Sequence, residues 1–186
     1  MSVANAPRKI LAPQWRVLAH LLLCLPFIWL VVSGAINTLD PDPGKTLVHG
    51  LGKWGLRLLL LTLAITPLQR FTAVQWLPLR RTIGLYALTY AVLHLLAYIF
   101  FYLGVDFSRL AQELVKRPYI VVGALALLIL MALGATSNRA AQRKLGRRWK
   151  LLHRCIYLAV IAVLVHALWQ LKAGVGDVPL YALVFA

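Results

Sequence analysis

Five long apolar runs constrain this chain more than any other feature of it. A helix advances about 1.5 Å per residue and the hydrocarbon layer of a bilayer is about 30 Å thick, so a span takes roughly 20 apolar residues. Residues 17–36, 48–68, 82–105, 118–136 and 151–171 meet that length, the second closing at Thr66-Pro67 and the fourth opening at Pro118. Proline is favoured in the first turn of a helix. A sixth apolar stretch, 178–186, stops after nine residues and is too short to span. It reads as a truncated helix or as the beginning of one. The expected fold class is an all-α integral membrane bundle of five full transmembrane helices plus a partial or truncated sixth, in a single domain over residues 1–186.

Composition excludes the competing classes. The chain is 61% hydrophobic and 13% charged, whereas a soluble domain is about half apolar and about a quarter charged. Neither a soluble domain nor a disordered chain fits. Cys24 and Cys155 lie inside apolar runs and read as small buried hydrophobes rather than as a disulfide. Arg8 and Lys9 before the first run, with Ser33-Gly34-Ala35 near its end, share features with a cleaved leader. The run exceeds the 7–15 residues or so of a leader's apolar region, and a retained first helix is expected. No internal repeat is visible.

Charge then gives orientation. There are 20 Lys and Arg against 5 Asp and Glu, a net charge of +15. In a soluble chain this would point to nucleic acid; between spans it points to topology. Arg8, Lys9 and Arg16 precede the first run, Arg70, Arg80 and Arg81 follow the second, and Arg139, Arg143, Lys144, Arg147, Arg148 and Lys150 follow the fourth. These segments share one side, and it carries no acid. Asp40, Asp42, Asp106, Glu113 and Asp177 all fall on the other. The positive-inside rule places the N-terminus in the cytoplasm. The 139–150 loop has two readings, contact with anionic lipid headgroups and contact with a phosphate ligand.

Ionisable groups within a span are costly and mark function by default. His94 lies twelve residues into the third run and His166 fifteen into the fifth, which runs the same way. Both are therefore roughly 18–22 Å deep, at 1.5 Å per residue. Two imidazoles at matched depth suit axial ligation of a haem iron. Zinc would need a tetrahedron of ligands that these runs do not offer. One turn from His94 stand Ala87, Tyr90, Ala91, Ala97, Tyr98 and Phe101; one turn from His166 stand Ala159, Ala162, Val163, Trp169 and Gln170. Small and aromatic residues make room for a flat macrocycle, though small residues also let bare helices pack closely in lipid. A single membrane histidine equally well hydrogen-bonds a neighbouring helix.

His153 is thirteen residues before His166, about 20 Å away and about 140° around a straight helix. It would serve a second site near the cytoplasmic face. Opposite it the third run reads Arg80-Arg81-Thr82, with no second imidazole but with guanidinium groups suited to a haem propionate or a flavin phosphate. His49, Lys53 and Arg57 form a basic stripe every four residues. Arg57 either meets a propionate or snorkels to headgroups. His20 reads as a structural hydrogen-bonding residue. The chain has no G-x-G-x-x-G, no P-loop and no C-x-x-C-H, so nicotinamide binding and covalent haem attachment are not expected. Electrons would come from a quinone, a flavin or a separate reductase. Whether the chain counts as an enzyme by itself is left open.

The segment Leu145-Gly146-Arg147-Arg148-Trp149-Lys150-Leu151-Leu152-His153-Arg154-Cys155-Ile156-Tyr157, followed by His166, resembles the fifth-helix signature of the ferric-reductase-like transmembrane family. Ile65-Thr66-Pro67-Leu68, Arg81-Thr82-Ile83-Gly84-Leu85 with His94, Lys116-Arg117-Pro118-Tyr119 and Ala135-Thr136-Ser137 extend the likeness over nearly the whole chain from about residue 10. Within that family they narrow it to the membrane subunits of a methionine sulfoxide repair system. The resemblance implies a bacterial inner-membrane protein that binds haem b and FMN and carries electrons outwards. It implies a quinone-pool or cytosolic flavin-reductase donor and, as partner, a periplasmic molybdopterin enzyme that reduces methionine sulfoxide in proteins. His94, His153 and His166 fall on the family's haem-associated positions. Family members complete a sixth helix, from which this chain departs. Two alternatives share the same pattern: a ferric or cupric reductase, and a non-redox transporter or assembly factor whose histidines relay protons.

Overall fold

The structure, a computed structural model, describes residues 13–36, 42–71 and 76–170. Among these residues there are seven helices and no strand: α1 (Pro13–Ala35), α2 (Pro43–Phe71), α3 (Leu77–Phe101), α4 (Phe107–Lys116), α5 (Pro118–Ala135), α6 (Arg139–Leu145) and α7 (Arg147–Gln170). α1, α2, α3, α5 and α7 are long and apolar enough to cross a membrane. The all-α membrane bundle expected from the apolar runs is therefore what forms. The chain divides into two compact units, one ending at Tyr102 and one beginning at Leu103. The 178–186 stretch lies outside the described residues, as do Arg8, Lys9, Asp40, Asp177 and the Arg70 side chain.

Helix boundaries depart from the apolar runs for local reasons. α2 starts five residues earlier than its run, at Pro43, because the Asp42 carboxylate accepts the Lys45 amide at 2.9 Å and caps the first turn. It also continues through Pro67 to Phe71. The third run, read as one span over 82–105, breaks at Phe101. Gly104 and Val105 have φ of 59° and 64°, and two successive left-handed residues cannot continue an α-helix. Asp106 then caps a separate helix, α4, accepting the Ser108 amide at 2.9 Å. An apolar-length criterion overran this turn because Leu103 and Val105 keep the composition apolar. The basic loop contains α6, capped by Asn138, which accepts the Ala141 amide at 2.8 Å, and stopped by Gly146 at φ 51°.

In the first unit α2 packs along α3 through small residues. A Cβ on Gly55 would rest against Tyr90 Cβ at 3.5 Å, and one on Gly84 against Thr62 Cγ2 at 3.4 Å. A Cβ on Gly44 would press on the Phe101 ring at 2.9 Å. Backbones approach closely at such positions, which is how helices associate when lipid removes the hydrophobic drive between them. α1 joins through side-chain hydroxyls. Tyr90 is almost fully buried; its hydroxyl donates to the Leu23 carbonyl at 2.8 Å and accepts the Phe27 amide at 3.0 Å. Both partners flank Pro26, whose missing N–H and bulky ring disturb the helix ladder there. In the second unit α5 packs along α7, with Ala126, Leu130, Leu133, Ala159 and Val160 buried.

Candidate functional site

His94 is held in the first unit by α2. Its Nδ1 lies 2.8 Å from the Val48 carbonyl oxygen. A carbonyl can only accept, so Nδ1 carries the hydrogen, and in the neutral ring the lone pair rests on Nε2. One turn on from Val48 stands Gly52. A Cβ there would lie 3.1 Å from His94 Nδ1 and 3.2 Å from Cε1. The imidazole is thus laid against bare α2 backbone, where the carbonyl of residue 48 is open at the side.

The second unit repeats this arrangement with different residues. His166 Nδ1 lies 2.7 Å from the Tyr119 carbonyl oxygen on α5. One turn on stands Gly123, whose Cβ, if it had one, would fall 2.7 Å from His166 Nδ1 and 2.8 Å from Cε1. The carbonyl and histidine are 46 residues apart in the first unit and 47 in the second. No repeat is visible in the letters, because a carbonyl belongs to any residue and the two fixed letters, glycine and histidine, occur 12 and 5 times in the chain. Beside His166, the Tyr119 hydroxyl accepts from Arg117 Nη1 at 3.2 Å, and Arg117 Nε pairs with Glu113 at 2.7 Å.

His153 is held differently. Its ring stacks on Trp149 with centroids 4.1 Å apart, and its Nε2 lies 3.1 Å from Thr136 Oγ1. The Thr136 hydroxyl donates to the Ala132 carbonyl at 2.7 Å, so it accepts from His153, whose hydrogen is then on Nε2. Trp149 Nε1 donates to the Thr136 carbonyl at 2.9 Å. These groups close the C-terminal end of α5, where helix carbonyls lack internal donors.

The remaining predicted residues are spread along the helices. Arg57 is half-buried, its guanidinium 4.8 Å over the Trp54 ring. Arg80 is half-buried and Arg81 exposed, both in the first turns of α3. His20 Nδ1 meets the Tyr86 hydroxyl at 3.1 Å, the structural hydrogen bond expected of it. Tyr90, grouped with the aromatics around His94, is turned to α1. Arg139, Arg143, Lys144, Arg147, Arg148 and Lys150 are all exposed. Among the described residues no three His, Cys, Asp or Glu side chains gather as a tetrahedral metal site would need. Spacing alone had not singled out Gly52, Gly123, Thr136 or Trp149.

Residues 51–164 match the model of the ferric reductase like transmembrane component family. The chain belongs to that family. It is also similar to the protein-methionine-sulfoxide reductase haem-binding subunit MsrQ of Brucella ovis, at 37% identity over 190 residues, covering 100% of this chain and 86% of the relative. No solved structure matches the chain. The stretch matched to the ferric-reductase-like family includes Gly52, His94, Gly123 and His153 and ends two residues before His166.

Proposed function

We propose that this chain is the haem-bearing electron-transfer subunit of a protein-methionine-sulfoxide reductase system, with His94 and His166 as axial ligands of a b-type haem. The observation that supports it is the common setting of these two residues. A histidine that ligates a metal through Nε2 characteristically gives its Nδ1–H to a carbonyl, which fixes the ring and raises its basicity. Both have that bond, and neither α3 nor α7 contains a carboxylate. Bound haem supplies the one-electron couple; the chain holds the rings, excludes water and sets the local dielectric.

In this reading the chain lies in a bacterial inner membrane with its N-terminus in the cytoplasm and passes electrons outwards to an MsrP-like periplasmic molybdopterin reductase. Quinol or a cytosolic flavin reductase is the donor. His153 belongs to the cytoplasmic entry side, with Arg80 and Arg81 as phosphate contacts for FMN, and Arg57 meets a propionate. The likeness to the Brucella protein supports the haem and the repair system; the donors and FMN rest on the family resemblance.

A visible spectrum of the purified protein tests the core of this. A Soret band that shifts with dithionite is expected. His94→Ala and His166→Ala should each abolish the low-spin spectrum, since bis-imidazole ligation needs both, while His20→Ala leaves it intact. An unchanged low-spin signal in either of the first two variants removes that residue from the iron.

A further inference from the structure

Gly52 and Gly123 do the same thing in two units that share no local sequence. We infer that both are positioning residues. Each offers a helix surface without a Cβ, on which an imidazole lies flat enough for its Nδ1–H to reach the carbonyl one turn back, and so each fixes the hydrogen on Nδ1 and the lone pair on Nε2. The inference builds on the assignment of His94 and His166 as haem ligands and adds what determines their tautomer and tilt.

The argument is steric and then chemical. A helix carbonyl already accepts the amide four residues on, and its second lone pair is reached only from the side. The side chain of residue i+4 normally covers that approach. At 52 and 123 it is missing, and the ring nitrogen approaches to within 3.1 Å of where a Cβ would stand in one case and 2.7 Å in the other. Gly44 and Gly50 on α2 are as tightly packed, a Cβ there falling 2.9 Å from Phe101 and 2.7 Å from Leu30, but at 52 and 123 the nearest atom is the imidazole nitrogen that meets a main-chain carbonyl. Gly55 stands on the same helix, facing the same neighbour, yet a Cβ there would make an ordinary contact at 3.5 Å. Glycine inside a helix also lowers its stability relative to alanine, so its use needs a reason, and Gly55 has a weaker one than Gly52.

An alanine at 123 would push the ring off the helix, so that it loses the carbonyl and its tautomer is no longer fixed; one at 52 would make the ring give by a few tenths of an ångström and lengthen its bond to the Val48 carbonyl. Because the Cβ at 123 would intrude further than that at 52, the two positions differ in severity. That ranking is a property of the seats themselves, separate from whether haem binds.

The experiment uses the full chain in detergent with Gly123→Ala, Gly52→Ala and, as control, Gly55→Ala. Haem retention and the low-spin electron paramagnetic resonance signal are read on the holoprotein. Ring-nitrogen chemical shifts of ¹⁵N-histidine are read on protein from a haem-deficient host. Gly123→Ala should weaken haem retention by roughly 10–100-fold, the usual effect of removing a metal ligand's outer partner, with an altered low-spin signal. Gly52→Ala should do so less and Gly55→Ala not measurably. In the haem-free protein the Nδ1–H signal of His166 should be lost in Gly123→Ala and that of His94 shifted in Gly52→Ala. If Gly123→Ala does not fold, Gly52→Ala against Gly55→Ala decides. Equal behaviour of Gly52→Ala and Gly55→Ala, or an unchanged Nδ1–H signal of His166 in Gly123→Ala, overturns the inference while leaving haem binding intact. Wild-type protein that takes up no haem from a haem-replete host, yet shows both Nδ1–H signals, would overturn the ligand assignment and keep the seats.

Discussion

Tyr90 shows how much one hydroxyl does when lipid surrounds the helices. It serves a carbonyl and an amide of α1 on either side of Pro26, and no water competes for those groups in hydrocarbon. Tyr90→Phe should lower stability in detergent by about 1–3 kcal/mol, the cost of leaving buried polar groups unmet, read as a fall in the midpoint of thermal unfolding. Tyr86→Phe should cost less, since its His20 partner is exposed. Asp106 responds to pH instead. The Ser108 hydroxyl at 2.7 Å, followed by the Ser108 amide, holds its carboxyl below the ordinary carboxylate value. A depressed folded-state pKa contributes stability above the unfolded value that is lost as pH falls through the folded one. Amide protection in the first turn of α4 should therefore be steady at neutral pH and disappear at acid pH below the usual carboxylate range. Asp106→Ala should remove both the protection and its pH dependence.

Among elements, the contrast between α5 and its two histidine contacts is instructive. Near its start, α5 receives His166 from α7 through a bare carbonyl; past its end, it is closed by Thr136, His153 and Trp149. If His153 belongs to the entry side, His153→Ala should keep the haem of His94 and His166 and slow its reduction by quinol or reduced flavin. Haem content and reduction rate, measured together, check this. Loss of all haem would show that the sites are coupled, and no change in either would leave His153 a structural cap. The spans were legible because hydrocarbon demands long apolar runs; His94 and His166 stood out as candidates because an ionisable group there is conspicuous. The break at Gly104-Val105 was not, since left-handed backbone at a valine has no compositional sign. Nor were α4 and α6, short helices set by Asp106 and Asn138 caps within polar connections. The imidazole seats escaped because half of each is main chain.

For the whole molecule, all the described acids, Asp42, Asp106 and Glu113, fall in the first and third connections between spans, and the six bases at and around α6 fall at the fourth. Reporter fusions after residues 42 and 106 should read periplasmic and a fusion after residue 143 cytoplasmic. The opposite pattern would reverse the proposed direction of electron flow along with the topology. The order of elements adds a second constraint. Each seat takes its carbonyl from the earlier helix of a pair and its imidazole from the later one, so neither histidine can be seated until both helices of its pair have entered the membrane.

The attachment of α1 carries a different consequence. Most of its surface faces outward, with Leu21, Leu22, Leu25, Ile28 and Trp29 exposed, while Tyr90 grips its main chain. Main-chain grip does not read side chains, so the outward residues are interchangeable as far as docking is concerned. A first helix with Leu21, Leu22, Leu25 and Trp29 all rewritten as isoleucine, and with Pro26 and Leu30 retained, should seat as the native one does. Moving Pro26 by a single residue, which keeps the composition identical, should unseat it, so that the position of one proline matters more to docking than the whole outward face.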